Sequence, residues 1–126
     1  FFLLYNFIMK AFNRTRQIVL SENLETADRF FKRFIGLMGR KGIEPGGGLL
    51  IVPCNSIHMF FMRFTIDAVF IGSDGKVVHL EKQIKPWRVS RVVRKARSVL
   101  ELPAGTIDRT GTGVGDLIEI TPSPPC

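Results

Sequence analysis

Apolar residues dominate the segment 53–70, and their arrangement predicts buried strands. Most positions in the second half of this segment are apolar, so both faces of an extended chain would need cover. Runs of this kind are typical of interior strands covered on two sides. We therefore predict strands over 57–62 and 66–71.

A turn follows this segment and defines a hairpin. The four residues 72–75, Gly-Ser-Asp-Gly, favour a tight turn, and a return strand over 76–80 completes a β-hairpin across 66–80. The stretch 81–97 carries conflicting signals and predicts a loop with a short strand. Four further runs predict strands, at 16–20, 49–52, 98–102 and 116–120.

A different periodicity over 26–38 predicts one helix. Its apolar residues recur at the three- and four-residue spacing of a helical face. Thr26 is placed to act as the N-cap, and Asp28 in the first turn suits the helix dipole. Gly36 or Gly39 can end the helix.

Together these elements predict a mostly β domain with one short amphipathic α-helix near the N-terminus. Many short strands separated by turns favour a β-sandwich of the jelly-roll kind or a partly open barrel. The length of 126 residues suits one domain. We assign residues 12–121 to it, residues 1–11 to a non-native or disordered leader, and residues 122–126 to a Pro-rich tail.

The first residues bear on localisation. Residues 1–8 are apolar but far short of the ~20 residues that span a bilayer, and Met9 is a more natural translation start than Phe1. The alternative is the trimmed end of a signal or membrane anchor. Cys54 and Cys126 do not form a disulfide framework, which fits a reducing compartment. We predict a cytoplasmic protein with no membrane span, and favour a monomer.

The formal net charge of +7 permits anionic partners. Seven Lys and Arg residues lie within 82–97, together with Trp87 and no acidic residue. Arg88, Arg91 and Arg94 in this stretch could bind nucleic acid or another anion. A solvated basic loop explains the same pattern.

The segment 53–70 also carries the candidate chemistry. Cys54 and His58 suggest a nucleophile with its base or a metal pair, but on an extended strand they lie ~13 Å apart, so only a bend could join them. A buried structural cysteine and a hydrogen-bonded histidine explain the same residues. Asp67 shares a strand face with apolar residues and needs partners there. It either accepts backbone hydrogen bonds from a neighbouring loop or serves in a cleft. Glu101 is the candidate for a second carboxylate, beside Asp67, in such a cleft.

Neither a metal nor a cofactor is predicted. The chain offers a few His, Cys and Asp side chains, but no two stand at a recognised metal-binding spacing. Glycine-rich stretches are present without the Gly-Lys-Ser/Thr of a phosphate loop.

Several motifs resemble one family, the domain of unknown function 192 of bacteria and archaea. Residues 33–38 (RFIGLM) are similar to its first element, residues 54–70 to its central signature, and residues 100–105 (LELPAG) to a later one. The resemblance covers about 24–120. It implies a compact, mostly β fold and no established activity.

Three hypotheses about function follow. The first is a small binding or accessory domain with a pocket lined by Cys54, His58, Met62 and Asp67, with Glu101 beside them. The second is a hydrolase or transferase using Cys54, His58 and Asp67. The third is nucleic-acid or anion binding through the 82–97 stretch.

Overall fold

A computed structural model describes residues 9–29, 33 and 36–122 of the chain. Seven strands and one helix have defined bounds: β1 Met9–Asn13, β2 Ile18–Ala27, β3 Gly47–Ile51, β4 Ile66–Gly72, β5 Val77–Ile84, β6 Ala96–Pro103, α1 Thr106–Thr110 and β7 Ile118–Pro122.

The strands form one sheet in the order β5-β4-β6-β3-β2-β1-β7. All neighbours are antiparallel except β2 and β3, which run parallel. The prediction of a mostly β domain is confirmed. A sandwich would need two facing sheets, and the described strands form a single sheet.

The sheet curls until its two edge strands meet at one end. The Val77 N–H donates to the Asp116 carbonyl at 2.9 Å, and the Ile118 N–H donates to the Gly75 carbonyl at 2.9 Å. Beyond this junction the edges of β5 and β7 separate. The result is a half-barrel, closest to the partly open barrel among the predicted architectures.

Each face of the curled sheet has its own apolar core. The concave core includes residues from both edge strands, together with Ile107 of α1, which caps it. The convex core is covered by the loop 52–65, through Ile57, Met59 and Met62, and Val93 of the loop 85–95 packs against it. The interior strand β4, second from the edge, is buried over its whole length because it contributes to both cores.

The helix prediction needs correction. Thr26, the predicted N-cap, lies inside β2 and pairs with Leu50 of β3. Much of the rest of the predicted span lies outside the described residues, although the Arg33 N–H bonds the Arg29 carbonyl at 2.8 Å in helical fashion. Among the described residues, the helix with defined bounds is α1, near the C-terminus.

The hairpin across 66–80 is confirmed by the pairing of β4 with β5. The predicted strand over 57–62 is wrong, since only a single bridge joins His58 to Val89 there. The local reason is that Phe60 and Phe61 are exposed, so this run is not covered on both sides.

The predicted leader boundary falls inside β1. Met9–Asn13 pairs with both β2 and β7, and Ala11 is fully buried. Its sequence, MKAFN, has no β-branched residue to indicate a strand, and its partners lie elsewhere in the chain. Residues 1–8 and 123–126 are outside the described part of the chain.

Within the described residues, no helix combines the length and apolar character needed to cross a membrane.

Candidate functional site

A cleft on the convex face joins most of the predicted site residues. It contains about 330 Å³ of space, including the part that opens to solvent. Its lining includes Cys54, His58, Met62 and Glu101. Three of them come from the segment 53–70 and Glu101 from a distant strand, and all four lie around one opening.

The loop 52–65 reaches the cleft because the neighbouring loop holds it. The Cys54 N–H donates to the Arg97 carbonyl at 2.8 Å, and the Ser90 N–H donates to the Ile57 carbonyl at 2.8 Å. The Ser90 hydroxyl in turn accepts the Ile57 N–H at 2.9 Å. With Ile57, Met59 and Met62 turned to the core, the loop leaves Cys54 and His58 half-buried at the cleft.

The Cys54 thiol is held in its protonated form. Burial raises the pKa of the Cys54 thiol, and the Glu101 carboxyl nearby acts in the same direction. The Cys54 thiol donates to the Ser56 carbonyl at 2.9 Å. Because the thiolate is the nucleophilic form, this environment does not activate Cys54.

His58 lies between the cleft and an exposed aromatic surface. Its Nδ1 accepts the Phe60 N–H at 3.2 Å, which places the proton of a neutral ring on Nε2. Its ring stacks on Phe60 with the centroids 5.1 Å apart. His58 is therefore oriented by its own loop.

Glu101 is the most perturbed acid of the site. It lies on β6 opposite Leu49 and Ala68, and only 4% of its surface is exposed. Burial raises the pKa of Glu101 to about 8, although the charge of Arg40 lowers it. Near pH 7 this side chain is mostly a neutral carboxylic acid.

Two arginines supply positive charge, Arg33 near Cys54 and Arg40 near Glu101. Arg33 lines the cleft and lowers the pKa of Cys54, against the larger effect of burial. Arg40 forms a two-point ion pair with Glu25, at 2.8 and 3.2 Å. The sequence analysis did not predict Arg33 as a site residue, although it belongs to the motif at 33–38.

Asp67 lies on the other face of the sheet from the cleft. Its carboxylate accepts three backbone N–H groups, from Gln83 at 2.9 Å, Gly105 at 3.1 Å and Ile107 at 2.8 Å. It is 1% exposed. The structure therefore does not bring Asp67 to Cys54 and His58, and its contacts match the alternative in which it fixes a neighbouring loop.

The predicted anion-binding residues lie apart from the cleft lining. Arg88, Arg91 and Arg94 are all exposed on the loop 85–95. Lys82, at the start of the basic stretch, forms an ion pair with Asp108 at 2.7 Å.

In the part of the chain that the structure describes, no three His, Cys, Asp or Glu side chains are close enough to share a metal ion.

Sequence comparison identifies a family. The model of the domain of unknown function 192, described as "Uncharacterized ACR", matches residues 11–120. A protein of Thermococcus sibiricus named "UPF0127 protein" is 38% identical over 112 residues, which cover 85% of this chain and 71% of that protein.

Solved structures share the fold. A protein of unknown function from Novosphingobium aromaticivorans superposes with a TM-score of 0.77 at 21% identity, covering 89% of this chain and 83% of that one. A Sinorhizobium meliloti protein named as a proposed transcription regulator gives a TM-score of 0.76 at 27% identity, covering 88% and 90%. Neither name assigns a ligand.

Proposed function

The chain belongs to the family of the domain of unknown function 192, and we propose that it is a small binding domain whose cleft holds a small anion. The observation that carries this proposal is the convergence of Arg33 and the buried, neutral Glu101 on the cleft that Cys54 and His58 also line. These groups come from separate segments of the chain.

The charge of the cleft favours an anion. Glu101 is the one acidic residue among the described residues that line it, and at neutral pH it keeps its proton. A protonated carboxyl donates a hydrogen bond, and the Arg33 guanidinium offers several donors. A carboxylate or similar oxyanion can accept from both, and charge-assisted hydrogen bonds of this kind are the stronger ones.

The size of the cleft limits the ligand. Because its space of about 330 Å³ includes the part open to solvent, the enclosed part is smaller than a typical small-molecule pocket. Met62 and Leu37 supply apolar wall, so a short carbon chain beside the anionic group fits the lining. We therefore expect a small organic acid rather than an extended polymer.

The alternative of a Cys-dependent hydrolase or transferase has less support. Cys54 carries a raised pKa and donates a hydrogen bond to a backbone carbonyl. Asp67, the third group of that hypothesis, lies on the opposite face. We keep binding as the proposed function.

A thermal-shift titration tests the proposal. Acetate, lactate and succinate are added to the protein near pH 6.5 at constant ionic strength, with acetamide as the uncharged probe. A ligand that binds only the folded state raises Tm in proportion to its saturation. We expect at least one of the acids to raise Tm and acetamide to have no effect.

Variants test whether the rise in Tm comes from binding in the cleft. Arg33→Gln and Glu101→Leu are expected to weaken binding about tenfold, because the first removes the positive charge and the second removes a donor to the anion. Glu101→Gln keeps a donor and retains binding. Arg29→Gln, an exposed arginine four residues from Arg33, is the matched control. The proposal fails if no acid shifts Tm or if the control loses binding equally.

A further inference from the structure

A second surface, apart from the cleft lining, exposes large apolar side chains on two adjoining loops. Phe60, Phe61, Trp87 and Val89 form this surface, which we call the aromatic tip. Their exposed fractions are 40%, 61%, 59% and 60%. Exposed apolar residues scattered singly need no explanation, but a contiguous group marks an interaction surface.

The aromatic tip is one connected cluster. The ring centroids of Phe61 and Trp87 are 4.9 Å apart, and those of Phe60 and Trp87 are 6.2 Å apart. The two loops are tied together beneath the rings. The Trp87 N–H donates to the Met59 carbonyl at 2.7 Å, and the Met59 N–H donates to the Arg88 carbonyl at 2.6 Å.

The backbone holds these rings outward in an unfavourable conformation. Phe61 has φ 60° and Trp87 has φ 68°, both in the left-handed region. Bulky residues rarely adopt it, and such strain clusters at functional positions. Neither ring is placed there by burial, so core packing does not explain the conformation.

The two chain segments that carry the tip are cationic. Arg63, Arg88, Arg91 and Arg94 are exposed, and the stretch from 85 to 97 has no acidic residue. None of these four arginines forms an ion pair with another of the described residues. A partner for this surface must therefore combine an apolar interior with negative charge around it.

We propose that the aromatic tip docks on the surface of a bilayer containing anionic lipid. Trp and Phe insert at the level of the headgroups, and Lys or Arg around them bind the anionic ones. Single-stranded nucleic acid fits less well, because bases stack on open ring faces. Here the Phe61 and Trp87 rings meet at an interplanar angle of 60°, so they form no parallel stacking platform, and the aliphatic Val89 offers no stacking face.

Trp87 provides the measurement, because it is the only tryptophan of the chain. The full chain is titrated with vesicles of phosphatidylcholine alone and with vesicles of equal parts phosphatidylcholine and phosphatidylserine. We expect a blue shift of Trp87 emission with the anionic vesicles only, weakened by added salt.

Variants separate the apolar and the charged contributions. Phe61→Ala is expected to weaken partitioning roughly tenfold or more, because a large apolar side chain no longer inserts. Arg88→Gln and Arg91→Gln should each weaken it about fivefold. The matched controls are Val114→Ala, an exposed apolar residue elsewhere, and Arg109→Gln on α1, and neither should change partitioning.

Three results would overturn the proposal. One is no change in Trp87 emission with either vesicle, and another is an equal response to both. The third is quenching of Trp87 by oligo(dT) or oligo(U) without any response to vesicles, which would assign the tip to nucleic acid instead. Because the tip residues do not line the cleft, failure here leaves the proposed anion binding untouched.

Discussion

Glu101 is a carboxyl group held in apolar surroundings on the convex face of the sheet. The strand alternation that buries Leu100 and Leu102 in the concave core turns Glu101 to the opposite side, beneath the loop that carries Cys54. Burial disfavours the charged form, and Arg40 offsets only part of this effect. Its protonation state therefore depends on the fold.

The buried Glu101 should make stability fall as pH rises. Its pKa is about 8 in the folded protein against 4.5 ordinarily, so between these values the folded state holds a proton that the unfolded state releases. The stabilisation that Glu101 contributes is fully present below pH 4.5 and is lost as pH rises through about 8. Over this range the free energy of unfolding falls by about 5 kcal/mol.

Urea unfolding at pH about 5 and about 8 measures this dependence. The variant Glu101→Gln keeps the shape and cannot ionise, so its free energy of unfolding should lack this fall with pH and exceed that of the wild type at the higher pH. If wild type and variant change in parallel with pH, Glu101 is not protonated in the fold.

Cys54 should behave as a structural thiol. We expect Ellman's reagent to label native Cys54 at neutral pH far more slowly than unfolded Cys54, because burial raises its pKa. A Cys126→Ser background isolates the signal. Labelling as fast in the native as in the unfolded protein would restore the hypothesis of a reactive Cys54.

At the scale of elements, Asp67 connects β4 to the turn that begins α1 and to β5. Replacing it by Ala leaves three backbone N–H groups without their acceptor, two of them around the start of the short helix. We expect Asp67→Ala to lower the free energy of unfolding by about 3 kcal/mol or more.

Asp74 in the adjoining turn offers the matched comparison. It accepts one backbone N–H, from Lys76, and is exposed. Asp74→Ala should lower stability by about 1 kcal/mol or less. Equal losses in urea unfolding for the two variants would show that Asp67 does not hold α1 in place.

Local pattern predicted the elements whose partners are close in sequence. The hairpin across 66–80 was recoverable because two apolar runs flank a turn. β1 was missed because its pairing with β2 and β7 is not a local signal. The run 57–62 was wrongly predicted as a buried strand, because the sequence pattern does not distinguish exposed aromatic residues from buried ones.

The site was predictable in part for the same reason. The alternation of side chains along β4 correctly predicted that Asp67 lies on the same face as Val69 and Ile71. Which face the loop 52–65 then covers depends on the path of the chain across the sheet, which no local period contains. That path brings Cys54 and Glu101 to the same cleft and leaves Asp67 on the other face of the sheet.

At the scale of the whole molecule, a buried polar cluster supports the end where the sheet closes. The Asp116 carboxylate accepts from the Asn13 side chain at 3.0 Å, the Arg16 side chain at 3.0 Å and the Gly113 N–H at 2.9 Å. Burial would raise the pKa of Asp116, but these donors together lower it. Its stabilisation is therefore present above the ordinary pKa of Asp and lost as pH falls through the lowered value.

Removing this carboxylate should loosen the closed end. We expect Asp116→Ala to lower the free energy of unfolding by about 3 kcal/mol and to speed hydrogen exchange at the amides of Val77 and Ile118. Glu119→Ala, which removes an exposed ion pair with Arg14, should change stability by less than about 1 kcal/mol. Unchanged exchange in Asp116→Ala would show that the edges are held without it.

The most direct test of the account is an NMR titration of the Glu101 side-chain carboxyl, with and without the acid that gives the largest thermal shift. We predict a pKa near 8 without ligand and a higher pKa with it, because an anion binds the protonated carboxyl more tightly. A pKa near the ordinary 4.5, or one that the acids leave unchanged, would contradict the proposal that this cleft binds an anion through Glu101.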